Sequence, residues 1–180
     1  MSLHEIVLPK TKPETEWVRG RALQKVSAGY RHGRSQALWA TALGTWAEAG
    51  DHGRVALEWR FRVTPPGGPT RPLVPDVAYV SFADLPADAP YEEDVAVPRM
   101  APTVAIEILA PEDERADVED KIATYLAAGA RAIIVVDPEA KTVIIHDAEG
   151  SNPWPGPDLR HPALPGFSLD LPTIFERARR

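Results

Sequence analysis

The apolar and polar positions of this chain follow two periods. Between positions 30 and 49, Leu38, Trp39, Ala42, Leu43 and Trp46 recur every three or four residues, which puts them on one face of a helix that Gly50 is placed to end. Between 55 and 63 the pattern alternates: Leu57, Trp59, Phe61 and Val63 fall on one side and Glu58, Arg60 and Arg62 on the other, as in a half-exposed strand. A Pro- and Gly-rich turn leads to a second strand over 72–81 (PLVPDVAYVS). The third, over 103–110 (TVAIEILA), is apolar almost throughout and reads as a central strand covered on both faces. Pro111 opens a helix with Glu112, Asp113 and Glu114 in its first turn, a core stripe of Val118, Ile122, Tyr125 and Leu126, and Gly129 as its cap. Two strands follow over 132–136 and 142–146, joined by a turn at Asp137-Pro138-Glu139, and a last helix begins at about 172. Ahead of all this, residues 1–30 read as an extended arm and a short helix over 12–28, with Pro13 near its start.

Composition narrows the reading. A chain of 180 residues that is 44% hydrophobic supplies one buried core, so a single domain is expected over 1–180, with 31–180 as its body. No apolar run approaches the roughly 18 residues that cross a bilayer, and the opening lacks a basic start followed by an apolar stretch. A cytoplasmic protein with no membrane partner is expected. Without cysteine, thiolate metal sites, disulfides and cysteine nucleophiles are excluded, and any metal must be held by oxygen or imidazole. The net charge of −6 argues against a broad basic surface but allows a local basic groove. No HExxH, GxSxG or GxGxxG occurs, and Gly67-Gly68 lacks the lysine of a phosphate loop.

Two acids stand out against their surroundings. Asp76 follows Pro75 in an apolar strand, and Glu107 sits between Ile106 and Ile108 in another. A carboxylate in such a setting must be protonated, paired or bound to a metal. If the two strands are neighbours, both carboxylates can converge on one hard cation such as magnesium. Lys121 lies about 10 Å into the returning helix, as deep as Glu107 lies before the end of its strand, so the two can meet. Plainer readings exist for each. Asp76 can be a turn residue, Glu107 can be satisfied by Arg60 or Arg62, and Lys121 can pair with Asp117 for about 0.3 kcal/mol. At the edge of the apolar stripe, Lys121→Ala is expected to leave stability nearly unchanged. His32 and Gln36 share a face at the start of the first long helix, either solvated or turned to the acids, water or substrate.

Several segments together resemble the Uma-two family of the PD-(D/E)xK nuclease superfamily. They are Arg31-His32-Gly33-Arg34, RPLVPDVAYVS, VAIEILAPEDE, DKIATYLAAGA, IIVVDPEAKTV and LPGFSL, and the resemblance runs from about His32 to Phe175. It implies an α/β fold of the restriction-endonuclease type, a mixed central sheet flanked by helices. It also implies Asp76 and Glu107 as metal-binding acids, the backbone carbonyl of Ile108 as a further ligand, and Mg2+ or Mn2+ as cofactor in hydrolysis of DNA phosphodiester bonds. The sequence departs from the superfamily pattern at Leu109, where a lysine is expected, and the resemblance implies Lys121, on the following helix, as its substitute. Where relatives add an acid on the first helix, this chain offers Gln36 and His32. A non-catalytic binding or assembly module that keeps the fold is the alternative, favoured by the acidic charge and by Leu109; a hydrolase of small phosphate compounds is a third reading. Cutting two strands with a one-site subunit would call for a homodimer.

Overall fold

The structure, a computed structural model, describes residues 4–26 and 29–180. Its centre is a six-stranded mixed sheet of β3 (Gly53–Leu57), β6 (Val77–Ser81), β7 (Val104–Ile108), β8 (Ala132–Asp137), β9 (Thr142–Asp147) and β10 (Gly150–Pro153), in spatial order β10-β9-β8-β7-β6-β3. Only β7 and β8 run parallel, linked across the sheet face by α2 (Arg115–Ala127). The other neighbours are antiparallel. Three two-stranded pieces complete the chain: β1 (Thr15–Val18) with β2 (Arg21–Gln24), β4 (Phe61–Val63) with β5 (Arg71–Leu73), and β11 (Asp158–Leu159) with β12 (Leu169–Asp170). Among the described residues no helix is long and apolar enough to cross a membrane.

Side-chain alternation divides the sheet into two faces. Val77, Tyr79, Val104, Ile106, Ile134 and Val136 pack against α1 (Tyr30–Ala49) and α3 (Leu171–Arg179) through Leu38, Trp39, Leu43, Ile174 and Phe175. Ala78, Val80, Ala105, Ile133 and Val135 point the other way and meet Ile122 and Tyr125 of α2, Val18 of β1, and Phe61 and Leu73 of the small β4–β5 ribbon. Both faces of β7 are therefore buried, as its nearly continuous apolar run requires.

The structure corrects the sequence reading in four places. The segment 12–28 is not a helix: its residues 15–24 form a hairpin, and the part of the expected helix at Ser27 and Ala28 lies outside the described residues. Arg19 and Gly20 both have positive φ (48° and 76°), the two-residue turn whose twist matches paired strands. The strand expected over 55–63 is split, because Glu58 takes φ 46° and turns the chain, leaving Leu57 48% exposed rather than inward. The strand expected over 72–81 is split at Val74-Pro75-Asp76, since Pro75 has no N–H for a ladder. The acidic run Glu112-Asp113-Glu114 precedes α2 as a turn, in which the Asp113 carboxylate accepts from the Ala110 N–H at 2.7 Å, and Glu114 is the residue before the first helical turn.

The hairpin is fixed to α2 by charge. Arg21 meets Asp117 at 2.7 Å, the Arg19 backbone N–H donates to Asp120 at 3.1 Å, and Arg71 of β5 reaches Asp120 at 2.9 Å. Replacing Gly20 by valine, a β-branched residue in a left-handed turn, is expected to lower unfolding free energy by about 1–2 kcal/mol. Urea denaturation of the two proteins at one pH checks it, and an unchanged midpoint would show that the turn bears no strain.

Candidate functional site

Register brings the two sequence-predicted acids together. Val77 pairs with Ile106, so Asp76 lies one step beyond β6 opposite Glu107, on the sheet face that α2 covers. Asp76 is 3% exposed and Glu107 6%. Lys121, on the buried side of α2, places its Nζ 2.8 Å from Glu107 Oε2. The side-chain oxygens of Asp76 are engaged on every side. Oδ1 accepts from Lys25 Nζ at 2.7 Å and Gln36 Nε2 at 3.3 Å, and Oδ2 accepts from the Ile108 N–H at 2.7 Å and lies 3.5 Å from His32 Nε2. His32 and Gln36 thus both turn towards Asp76 from the first two turns of α1.

Two members of this cluster have no counterpart in the sequence reading: Glu16 of β1 and Lys25, just after β2. Glu16 lies 3.0 Å from Lys121 and also accepts from the Val74 N–H at 2.6 Å. The Val74 carbonyl accepts from Lys25 at 3.1 Å and from Lys121 at 3.5 Å. The break at Val74-Pro75-Asp76 leaves a peptide without a ladder, and the hairpin's side chains satisfy it. A hairpin reading of Val18-Arg19-Gly20-Arg21 would have buried Glu16 and Val18 on one side, which is the signal that was available. The plainer pairings do not occur. Arg60 binds Glu14, Arg62 lies 3.6 Å from Glu5, and Asp117 is held by Arg21, so neither arginine meets Glu107 and Asp117 does not meet Lys121.

Three carboxylates face two lysines in this pocket, and their ionisation reflects it. Burial alone would push the Asp76 carboxyl up, but Lys25, the hydrogen bond from His32 and Lys121 outweigh it and hold the group well below the usual carboxylate range. Glu107 goes the other way: burial, only partly opposed by Lys121 and reinforced by Asp76 and Glu16, pushes it up to about 7. Burial works against the Lys121 charge, yet Glu107, Glu16 and Asp76 raise its pKa above the ordinary lysine value. His32 is raised as well, burial being outweighed by Asp76 and assisted by the nearby Ile108 carbonyl. These groups line a cleft of about 150 Å³ whose rim carries Glu112, Asp113 and Glu114.

A family model described as "Putative restriction endonuclease", Uma2, matches residues 4–172. The chain belongs to the Uma2 family. The match begins well before His32 and so takes in the hairpin that carries Glu16 and Lys25. Among solved structures, one titled a putative nuclease belonging to DUF820, from Anabaena variabilis, superposes with a TM-score of 0.82 over 95% of this chain and 94% of that one. At 22% identity it shows that this Uma2 chain has the nuclease fold, a central mixed sheet flanked by helices. No curated protein matches.

The donor chemistry of this Uma2 site fits a small hard cation. Glu107 Oε1 is buried without a hydrogen-bond partner, in the cleft that Asp76 and Ile108 also line. Among the described residues no three His, Cys, Asp or Glu side chains are arranged around one position. Two carboxylates, a carbonyl and waters are what magnesium commonly takes.

Lys121 is inside the cluster rather than at its edge, which overturns the expectation that its removal is harmless. Lys121→Ala should cost about 3–5 kcal/mol, as breaking a buried ion pair does, while Asp117→Ala costs about 1 kcal/mol or less. Chemical denaturation of both variants checks this. For pH, Asp76 has its folded pKa depressed from 3.8, so its contribution to stability is complete above that value and lost as pH falls below it. Glu107 is raised from 4.5 to about 7, so its contribution is present below 4.5 and lost as pH rises through 7. In the absence of divalent ions, wild type should therefore lose stability relative to Glu107→Gln between pH 5 and 8. Parallel thermal melts that show a constant difference would contradict the raised Glu107.

Proposed function

We propose that this Uma2 protein is a divalent-cation-dependent endonuclease that hydrolyses phosphodiester bonds, with DNA as its substrate. The observation that carries the proposal is the convergence of Asp76, Glu107 and Lys121 in one buried cleft from three separate elements, with Lys121 2.8 Å from Glu107. Asp76, Glu107 and the Ile108 carbonyl are the groups that would hold Mg2+ or Mn2+. Once bound, such a cation neutralises phosphate charge and makes its water a stronger acid. Lys121 would orient the attacking water or meet charge developing on the phosphate, a role supported by its ion pairs with Glu16 and Glu107, which fix its charge beforehand. His32 and Gln36 hold Asp76 in position through its two oxygens. A one-site subunit would cut both strands of a duplex as a homodimer.

One observation favours the alternative of a non-catalytic module. Each acid already has a lysine counter-ion, and the rim is negative through Glu112, Asp113 and Glu114, which repels a polyanion. The deciding experiment incubates pure protein with single- and double-stranded DNA and RNA in Mg2+, Mn2+, Ca2+ or chelator. DNA cleavage is expected in Mg2+ and Mn2+. Calcium should bind with little turnover, because its looser coordination positions water less strictly. Asp76→Asn, Glu107→Gln and Lys121→Gln, each shown folded by circular dichroism, should lower the rate by about two to four orders of magnitude. Absence of cleavage in every condition, with no calorimetric binding of any divalent ion, would establish the module instead.

A further inference from the structure

Lys25 belongs to the arm rather than to the sheet or α2, and its place in the cluster differs from that of Lys121. Lys121 is held by two carboxylates, Glu107 at 2.8 Å and Glu16 at 3.0 Å, and rises from the middle of a packed helix. Lys25 is held by one carboxylate, Asp76 at 2.7 Å, and by the Val74 carbonyl at 3.1 Å. Its backbone N–H is tied to the Glu14 carbonyl at 2.8 Å, so the main chain is anchored and any change of partner must come from rotation of the four-carbon stem.

Each oxygen of Asp76 already faces two donors, so a divalent cation bound there must displace one of them. Asp76 Oδ2 is held by the Ile108 N–H of β7, whose position the sheet fixes, and His32 and Gln36 come from a rigid helix. Lys25 is the donor to Asp76 with a full charge on a flexible stem. A cation at the roughly 2.0–2.1 Å that magnesium requires would sit against that ammonium, and two cations on one buried carboxylate repel strongly.

We propose that Lys25 is the exchangeable counter-ion of the site: it neutralises Asp76 while no divalent cation is bound, yields the carboxylate when one binds, and then presents its ammonium to a substrate phosphate. The proposal rests on the endonuclease reading and assigns Lys25 a substrate-binding role within it. It also accounts for how a polyanion approaches past Glu112, Asp113 and Glu114. The positive charge needed at the mouth of the cleft is stored inside it and is released by the cation that the reaction needs.

The test titrates wild type, Lys25→Gln and Lys25→Arg with Mg2+ alone and Ca2+ alone by calorimetry, and then measures binding of a labelled DNA oligonucleotide in Ca2+ by fluorescence anisotropy. Loss of the competing charge should tighten cation binding about tenfold or more in Lys25→Gln. Oligonucleotide binding should weaken about tenfold in the same variant, although its cation is held better. Lys25→Arg, which keeps the charge, should lie near wild type in the cation titration. Equal cation affinity in wild type and Lys25→Gln would overturn the exchange while leaving the metal site standing. Tighter cation binding with unchanged oligonucleotide affinity would overturn the phosphate contact. No cation binding by any of the three would overturn the endonuclease reading and this role with it. Should Lys25→Gln be unfolded without ions, refolding on addition of Mg2+ supports the exchange, and failure to refold in Mg2+ overturns it.

Discussion

Three buried carboxylates share two lysines, Lys121 buried and Lys25 half-buried, and the architecture around them is arranged to make that tolerable. Removing a single charge from water without a partner is prohibitive, so Glu16, Asp76 and Glu107 can be held inside only if Lys25 and Lys121 come with them. The five residues come from the hairpin, the break before β6, β7 and α2. The hairpin must therefore dock on α2, and α2 must return across β7, before all of these charges are compensated. Such clusters add little net stability over an apolar core of the same shape, but they penalise every arrangement in which one member is missing. The excess acid is visible in Glu107, which burial pushes up to about 7.

The interruption at Val74-Pro75-Asp76 is the local feature that opens the site. A continuous strand would bond Val74 and Asp76 into a ladder and leave their backbone groups unable to face the cleft. Pro75 prevents that, and Glu58, in a left-handed conformation, turns the neighbouring chain so that its N–H meets the Asp76 carbonyl at 3.2 Å. The backbone groups of Val74 are then satisfied by Glu16 and the two lysines, so the irregular segment and the charged cluster each depend on the other. The chain is broken at the start of an inner strand, beside the cleft, and the local rules of strand formation are set aside there and kept elsewhere.

Membership of the Uma2 family and the nuclease fold set the frame for this cluster, while the chain's own residues set its details. Leu109, which follows Ile108, donates its backbone N–H to the Val136 carbonyl of β8. The ammonium beside Glu107 comes from α2, which can supply it because the helix returns over the strand that bears Glu107. A lysine on a helix is held by packing along its stem as well as by its ion pairs.

Much of this was readable along the chain. The three-and-four spacing of Leu38, Trp39, Leu43 and Trp46 marks α1, and the stripe of Ile122 and Tyr125 marks α2, because a helix buries one face and its period appears in sequence. Asp76 and Glu107 were conspicuous because a charge inside an apolar strand has few explanations, and rise per residue put Lys121 within reach of Glu107 while leaving its pairing with Asp117 open. Register could not be read in this way: that Asp76 and Glu107 share a face was conditional until β6 paired with β7 at Val77 and Ile106. Glu16 and Lys25 were hidden altogether. Glu16 stands 105 residues from Lys121 and Lys25 stands 51 from Asp76. Each, read alone, is an ordinary charged residue in a short polar segment. Local sequence determined which segments could be helix or strand and which acids were out of place. The identity of their counter-ions was decided only by tertiary structure, because a Coulombic partner is selected by distance in space, and nothing in the spacing of residues along the chain records it.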